Sequence, residues 1–212
     1  MNVMLNIMML ILVPLAIAFT IFIGLAAFQK NKMRLERLLP IIDGQISTTF
    51  RSGYFLPILK GTWNNEKVVV EFVQNQGFVN LFITLDVHRT WPCSITIIPL
   101  EQISFPYRSM KAFISGCKFE LPEENIKVIS DIDDEPGIRS FLHRGKLRII
   151  EDLFSHGFDY LYFCQNSESG GYVTVGLKNF FPGFKLWFLK AQCDSVMNPE
   201  TINYILTKLK EL

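Results

Sequence analysis

The first 29 residues contain no Asp, Glu, Lys, Arg or His, and from Val3 to Phe28 only Asn6 and Thr20 interrupt an apolar run. A stretch that lacks charge for so long is not a surface segment. As a helix rising ~1.5 Å per residue it reaches roughly 39 Å, enough for a hydrocarbon layer of about 30 Å, and Pro14 is tolerated where lipid-embedded helices satisfy the freed carbonyl locally. Other absences are equally informative. Neither G-x-G-x-x-G nor G-x-x-x-x-G-K-[ST] occurs, which excludes the common glycine loops that cradle nucleotide phosphates. Ser115-Gly116-Cys117 falls short of the G-x-S-x-G of a nucleophile elbow, and no repeat or low-complexity stretch divides the chain.

Charge of one sign is scarce everywhere except in one place. Lys30, Lys32, Arg34 and Arg37 follow the apolar run with Glu36 as the lone acid among them. Positive flanks stay on the cytoplasmic side, so these four bases predict a cytoplasmic domain with only a few residues translocated. Removing that collar from the 21 basic and 20 acidic residues leaves 17 and 19, a balance without the basic excess that binds nucleic acid through phosphates. Ala16-Ile17-Ala18 has the look of a signal-peptidase site. Against cleavage stand the missing N-terminal bases and the apolar Phe19 to Phe28 that cutting would leave exposed, so the expectation is an uncleaved single-pass anchor in the cell membrane.

The four cysteines, Cys93, Cys117, Cys164 and Cys193, form no C-x-x-C pair and have no histidine at zinc-ligand spacing. They read as buried thiols of a reducing compartment. Three histidines, His88, His143 and His156, are scattered without a Ser, Cys or Asp at a triad spacing. Asp131, Asp133, Asp134 and Glu135 lack the glycine and distal Glu of an EF-hand loop and read as acids meeting a helix N-terminus. No catalytic, cofactor or metal residue is therefore assigned.

What is present divides into three parts: an anchor over 1–29, a basic juxtamembrane helix over 30–42 and one α+β domain over 43–212. Val68 to Val73, Val79 to Val87 and Cys93 to Ile98 are β-branched or aromatic runs, and the middle one alternates Val79, Leu81, Ile83, Leu85 and Val87 against Asn80, Thr84 and Asp86. Asn64-Asn65 predicts a tight hairpin turn. From Pro136 to Phe154 the apolar period becomes helical, divided near Gly145 and stopped at His156-Gly157. Strands then follow at Tyr160 to Gln165 and Tyr172 to Leu177, with a turn at Gly170-Gly171. Asn198-Pro199-Glu200 opens a last helix whose stripe, Ile202, Ile205, Leu206, Leu209 and Leu212, is expected on the sheet. The fold class is thus a mainly antiparallel sheet with two or three packed helices behind one transmembrane helix.

Gly61 to Val70, Val128-Ile129-Ser130-Asp131, Phe141-Leu142, Leu153-Phe154, Gly157 and Tyr160 to Phe163 together carry a resemblance. By their spacing the chain resembles a group of uncharacterised bacterial membrane-tethered proteins with a domain of unknown function, from which it departs in having a single N-terminal span. The resemblance implies no activity.

Two surfaces stand out as candidate contacts. Ala16, Thr20 and Gly24, with Ala27 nearby, place small residues on one face of the span, where another helix, from a second copy or another membrane protein, would approach closely. Phe181, Phe184, Trp187 and Phe188 lie among lysines in a stretch that reads as a core strand, with a membrane or partner contact as the competing reading. The functional expectation is a non-catalytic, membrane-anchored accessory or scaffold subunit of a larger membrane assembly. The alternative is a tethered enzyme or small-ligand-binding domain whose groups converge only in three dimensions.

Overall fold

A computed structural model describes residues 2–51, 54–75, 78–89, 91, 93–100, 118–166, 170–182 and 196–212. Helix α1, Asn2–Glu36, continues past the apolar stretch without a break, and five turn residues then lead into the first strand. Among the described residues one helix, over Leu12–Glu36, is long and apolar enough to cross a membrane, and its apolar part is exposed rather than packed in a core. The basic stretch is therefore no separate helix. Its first seven residues are the end of α1, and Leu38, Ile41 and Ile42 close irregular turns back onto Leu35 and Leu38.

Four strands form an antiparallel meander: β1 Asp43–Arg51, β2 Tyr54–Trp63, β3 Glu66–Asn75 and β4 Phe78–Arg89. Asn64 and Asn65 between β2 and β3 have φ of 48° and 66°, the pair of left-handed residues that a two-residue hairpin needs to follow strand twist. Next come β5 Ile95–Pro99, β6 Lys118–Leu121 and β7 Ile126–Ser130. Helices α2 Glu135–Phe141 and α3 Arg144–Ser155 precede β8 Tyr160–Asn166, β9 Gly170–Pro182 and helix α4 Pro199–Glu211. All nine strands join one antiparallel sheet in the order β1-β2-β3-β4-β9-β8-β5-β7-β6, an α+β fold with one candidate transmembrane helix.

Register explains the core. One row across the sheet reads Ile46, Leu59, Val70, Ile83, Val175, Leu161, Ile97, Val128 and Phe119, an apolar residue from every strand. Strand period places this row on one face, and the buried stripe of α4, Ile202, Ile205, Leu206 and Leu209, shares its core. Trp63 Nε1 donates to Asn203 Oδ1 at 2.8 Å and Lys210 pairs with Glu66 at 3.3 Å, tying α4 to the meander.

The opposite face is less polar than alternation predicts. Asn80 and Phe82 are buried, and Phe82 meets Tyr160 edge-on at 6.0 Å in a second cluster with Ile98. The predicted break in the central helical stretch is real but lies at Leu142-His143, with Gly145 inside the first turn of α3. The predicted stop is a Schellman closure: Gly157 has φ 92°, its N–H donates to Phe154 O, and that of Phe158 donates to Leu153 O. Gly170 and Gly171 belong to β9, so the turn does not lie there. Gly171 is small because a Cβ would collide with the Trp91 indole and the Arg89 carbonyl.

Candidate functional site

The joint between α1 and the sheet is the first place where sequence features converge. Leu35, Leu38 and Ile42 are fully buried in the main core, and β2 is the strand that α1 lies against. Arg34, expected as one of four charges facing headgroups, is only 3% exposed, and its Nη1 donates to Oδ1 of buried Asn31 at 3.0 Å. A guanidinium so placed is part of the packing of the joint. Lys32 keeps an exposed i,i+4 pair with Glu36 at 3.8 Å, a geometry that contributes little. The small-residue face of the span is open at Gly24, where a Cβ would meet nothing within 4 Å, and Ala16 is exposed while Ala27 is half-buried.

A second convergence was not anticipated. Trp91, Phe141 and Phe163 pack edge to face, with ring centroids 5.0 to 5.7 Å apart. The Lys146 ammonium sits 3.4 Å from the Phe141 centroid and 5.6 Å from that of Trp91. Burial, helped by the nearby charge of Arg89, pushes this amine down to about 8. These residues are far apart in sequence, and only the pairing of β8 with β5 and the start of α3 bring them together.

Near this cluster Cys93 is buried with its Sγ 3.4 Å from Ser130 Oγ. Burial raises this thiol, and the charges of Asp131 and Asp134 act the same way against the Ser130 hydrogen bond. A thiol held protonated is a poor nucleophile. Cys164 is half-buried, whereas Cys117 and Cys193 lie outside the described residues.

The acidic run disperses into structural tasks. Asp131 Oδ1 accepts from Ser94 N, Asp134 caps α2 by accepting from Gly137 N, and Glu135 pairs with Arg139 at 2.7 Å. Each of these carboxylates is explained by a cap or a pair. Of the histidines, His143 caps α3 by accepting from Gly145 N, and His156 ends it with its ring against the Asp152 carbonyl. His88 lies in β4. The Tyr204 hydroxyl donates to the Asp152 carboxylate across the α3–α4 junction, and this bond raises Tyr204.

A polar row crosses the second face beside the apolar one: Lys60, Val69, Thr84, Thr174, Tyr162 and Thr96. Thr84 and Thr174 hydroxyls bond at 2.8 Å, and Thr96 is fully buried. An open depression of about 470 Å³ lies against β1 and β2, lined by Asp43, Gly44, Gln45, Ser47, Lys60 and Gly61. Of the aromatic stretch, Phe181 belongs to β9, and Phe184, Trp187 and Phe188 lie outside the described residues.

These features define a class: an α+β domain on a single antiparallel sheet, packed directly onto the end of a helix with the length and apolarity of a membrane span. No family model matches the chain, and neither a curated protein nor a solved structure does.

Proposed function

We propose that this chain is a membrane-anchored accessory or scaffold subunit, non-catalytic, that associates with a larger membrane assembly. One observation carries the reading. The same helix is apolar and exposed over most of Leu10 to Leu25, and further on it buries Asn31, Arg34 and Leu35 where it meets the sheet domain. An exposed apolar helix needs lipid or another helix to cover it, and one fused to a core cannot swivel like a flexible tether. Such a joint fixes the attitude of the sheet to the bilayer, which a placing subunit requires and a diffusing enzyme does not. The basic collar supports a cytoplasmic domain, since charges act on topology during insertion, before Arg34 is buried.

The test is photo-crosslinking in native membranes from position 21, an exposed site one helical turn before Gly24 on the same side of the span. The expected product joins the helix to another membrane protein or to a second copy, and Gly24→Leu removes it while leaving insertion intact. Recovery of the chain free of any protein adduct from both this face and the sheet would defeat the scaffold reading. Orientation is checked separately by labelling cysteines from outside intact cells, with protection expected.

The Lys146 cluster favours a second reading, a tethered domain that binds a small anionic ligand. A lysine at about 8, with no carboxylate within ion-pair distance among the described residues, leaves a cation to be neutralised. Isothermal titration with inorganic phosphate distinguishes it, since uptake lost on Lys146→Met belongs only to this second reading.

A further inference from the structure

Phe50 and Phe55 are directly paired across β1 and β2 at the free end of the hairpin, with ring centroids 4.9 Å apart. They are 62% and 65% exposed, although an aromatic pair in contact is among the most favourable things to bury. Neither takes part in the sheet core. In the sequence, Arg51-Ser52-Gly53-Tyr54 between them supply a base and a tyrosine, residue types common where protein meets lipid headgroups.

Where this tip lies follows from the joint. The turns after Glu36 end with Ile42 N donating to Leu38 O, and β1 starts at the next residue, so the base of the hairpin is beside the end of α1. From there α1 lies against β2, with β1 touching it less. Leu56, one residue from the tip, is buried in the same core as Leu35 and Leu38. Ala27 and Phe28 are already half-buried, ahead of buried Asn31 and Arg34. The hairpin therefore runs back along the helix toward the apolar span.

Distances decide whether it gets there. From Glu36 back to Lys32 the helix rises about 6 Å, the irregular turns over 37–42 separate Glu36 from the base of the hairpin, and from Asp43 to Phe50 a strand rises about 23 Å. The headgroup zone extends roughly 5–7 Å beyond the hydrocarbon edge, which for a span ending near Phe28 is the level of Lys32. The strand exceeds that helical rise about fourfold, a surplus that spans the intervening turns and carries the tip to the level of the headgroup zone.

We infer that the Phe50–Phe55 tip is a second membrane contact, an aromatic wedge in the headgroup region of the bilayer that α1 crosses. This inference rests on the membrane-anchor reading of α1. It holds on whichever side of the membrane the domain lies. Insertion at two points separated by the width of the hairpin sets the rotation of the domain about the helix axis, which a single span leaves open.

The test uses the full chain in phospholipid nanodiscs, with a benzophenone amino acid at position 55, at position 22 in the exposed part of α1, or at Glu123 in the turn after β6. Lipid adducts are read by mass. Adducts are expected at 22 and 55, with the yield at 55 about threefold or more above that at 123, as suits a residue in the headgroup zone. Adducts at 22 with none at 55 overturn the wedge and leave the anchor intact. No adduct at 22 removes the anchor reading, and the wedge with it. A protein–protein adduct at 55 in place of lipid also overturns the wedge, making the tip a contact between copies. Phe50→Ser, which changes no buried group, should lower the lipid yield at 55 by a similar factor.

Discussion

Lys146 shows how a single side chain takes its chemistry from distant neighbours. Its amine is lowered from the ordinary 10.5 to about 8 because aromatic surfaces displace water and Arg89 adds like charge. A lowered lysine means that the folded state binds fewer protons than the unfolded state between those values, so stability should rise with pH from about 8 to 10.5. Lys146→Met should flatten that rise, and after allowance for partial solvent screening the difference is on the order of 1 kcal/mol. Denaturant melts at pH 7 and 10 measure it, and a wild-type curve that falls across this interval would contradict the placement. Gly171 makes the complementary point about space. Gly171→Ala drives a methyl into the Trp91 indole and the Arg89 backbone, and overpacking of this kind costs roughly 1–3 kcal/mol. A thermal melt shows the loss. Neither residue was legible in the sequence as a site. Lys146 looks like one more helix-surface lysine, and Gly171 looks like half of a Gly-Gly turn. Each acquires its role from Trp91, some 55 and 80 positions away.

At the level of elements the sequence carries much more. The Asn64-Asn65 turn, the closure at Gly157 and the stripe of α4 are local patterns whose physical causes act within a few residues, and the structure has each of them, whereas the β4 alternation holds for its core face alone. The misreadings also share a cause. The far side of β4 is buried because β8 and β5 bring Tyr160 and Ile98 to Phe82, a long-range pairing that alternation cannot register. The basic stretch reads as a collar, yet tertiary packing turns Arg34 inward beside Leu35. A consequence follows for the joint. Leu38 lies just past a helix whose apolar part is exposed, but its side chain is in the sheet core, so Leu38→Ala should destabilise the sheet domain by about 2–5 kcal/mol. Hydrogen exchange of β2 amides in reconstituted protein is the readout. Unchanged protection there would mean that α1 and the domain are energetically separate.

The whole molecule is bound together by strand order. Because β9 lies between β4 and β8, the backbone hydrogen bonds of the sheet join the N-terminal meander to the strands β8-β5-β7-β6 through this late strand. Both halves also contribute to one continuous core with α4. The domain is therefore expected to unfold in a single transition, with β4, β8 and β9 the most protected amides. Calorimetry resolving two transitions would show instead that the meander and α1 form an independent unit. Nothing in the one-dimensional pattern announces that β4 pairs with β9, since both are ordinary apolar strands and the register shifts between them are set by the fit of the two halves.

That same strand order bears on how the protein is made. About 80 residues of chain separate the end of β4 at Arg89 from the start of β9 at Gly170. At about 5–20 residues per second, a ribosome needs roughly 4–16 s to supply them. For that interval the meander has the β9-facing hydrogen-bonding edge of β4 unoccupied, the kind of edge that captures stray strands. Nascent chains of this protein therefore pass through an obligatory vulnerable stage, and crowding several of them on one polysome would favour pairing between neighbours over waiting for their own last strand.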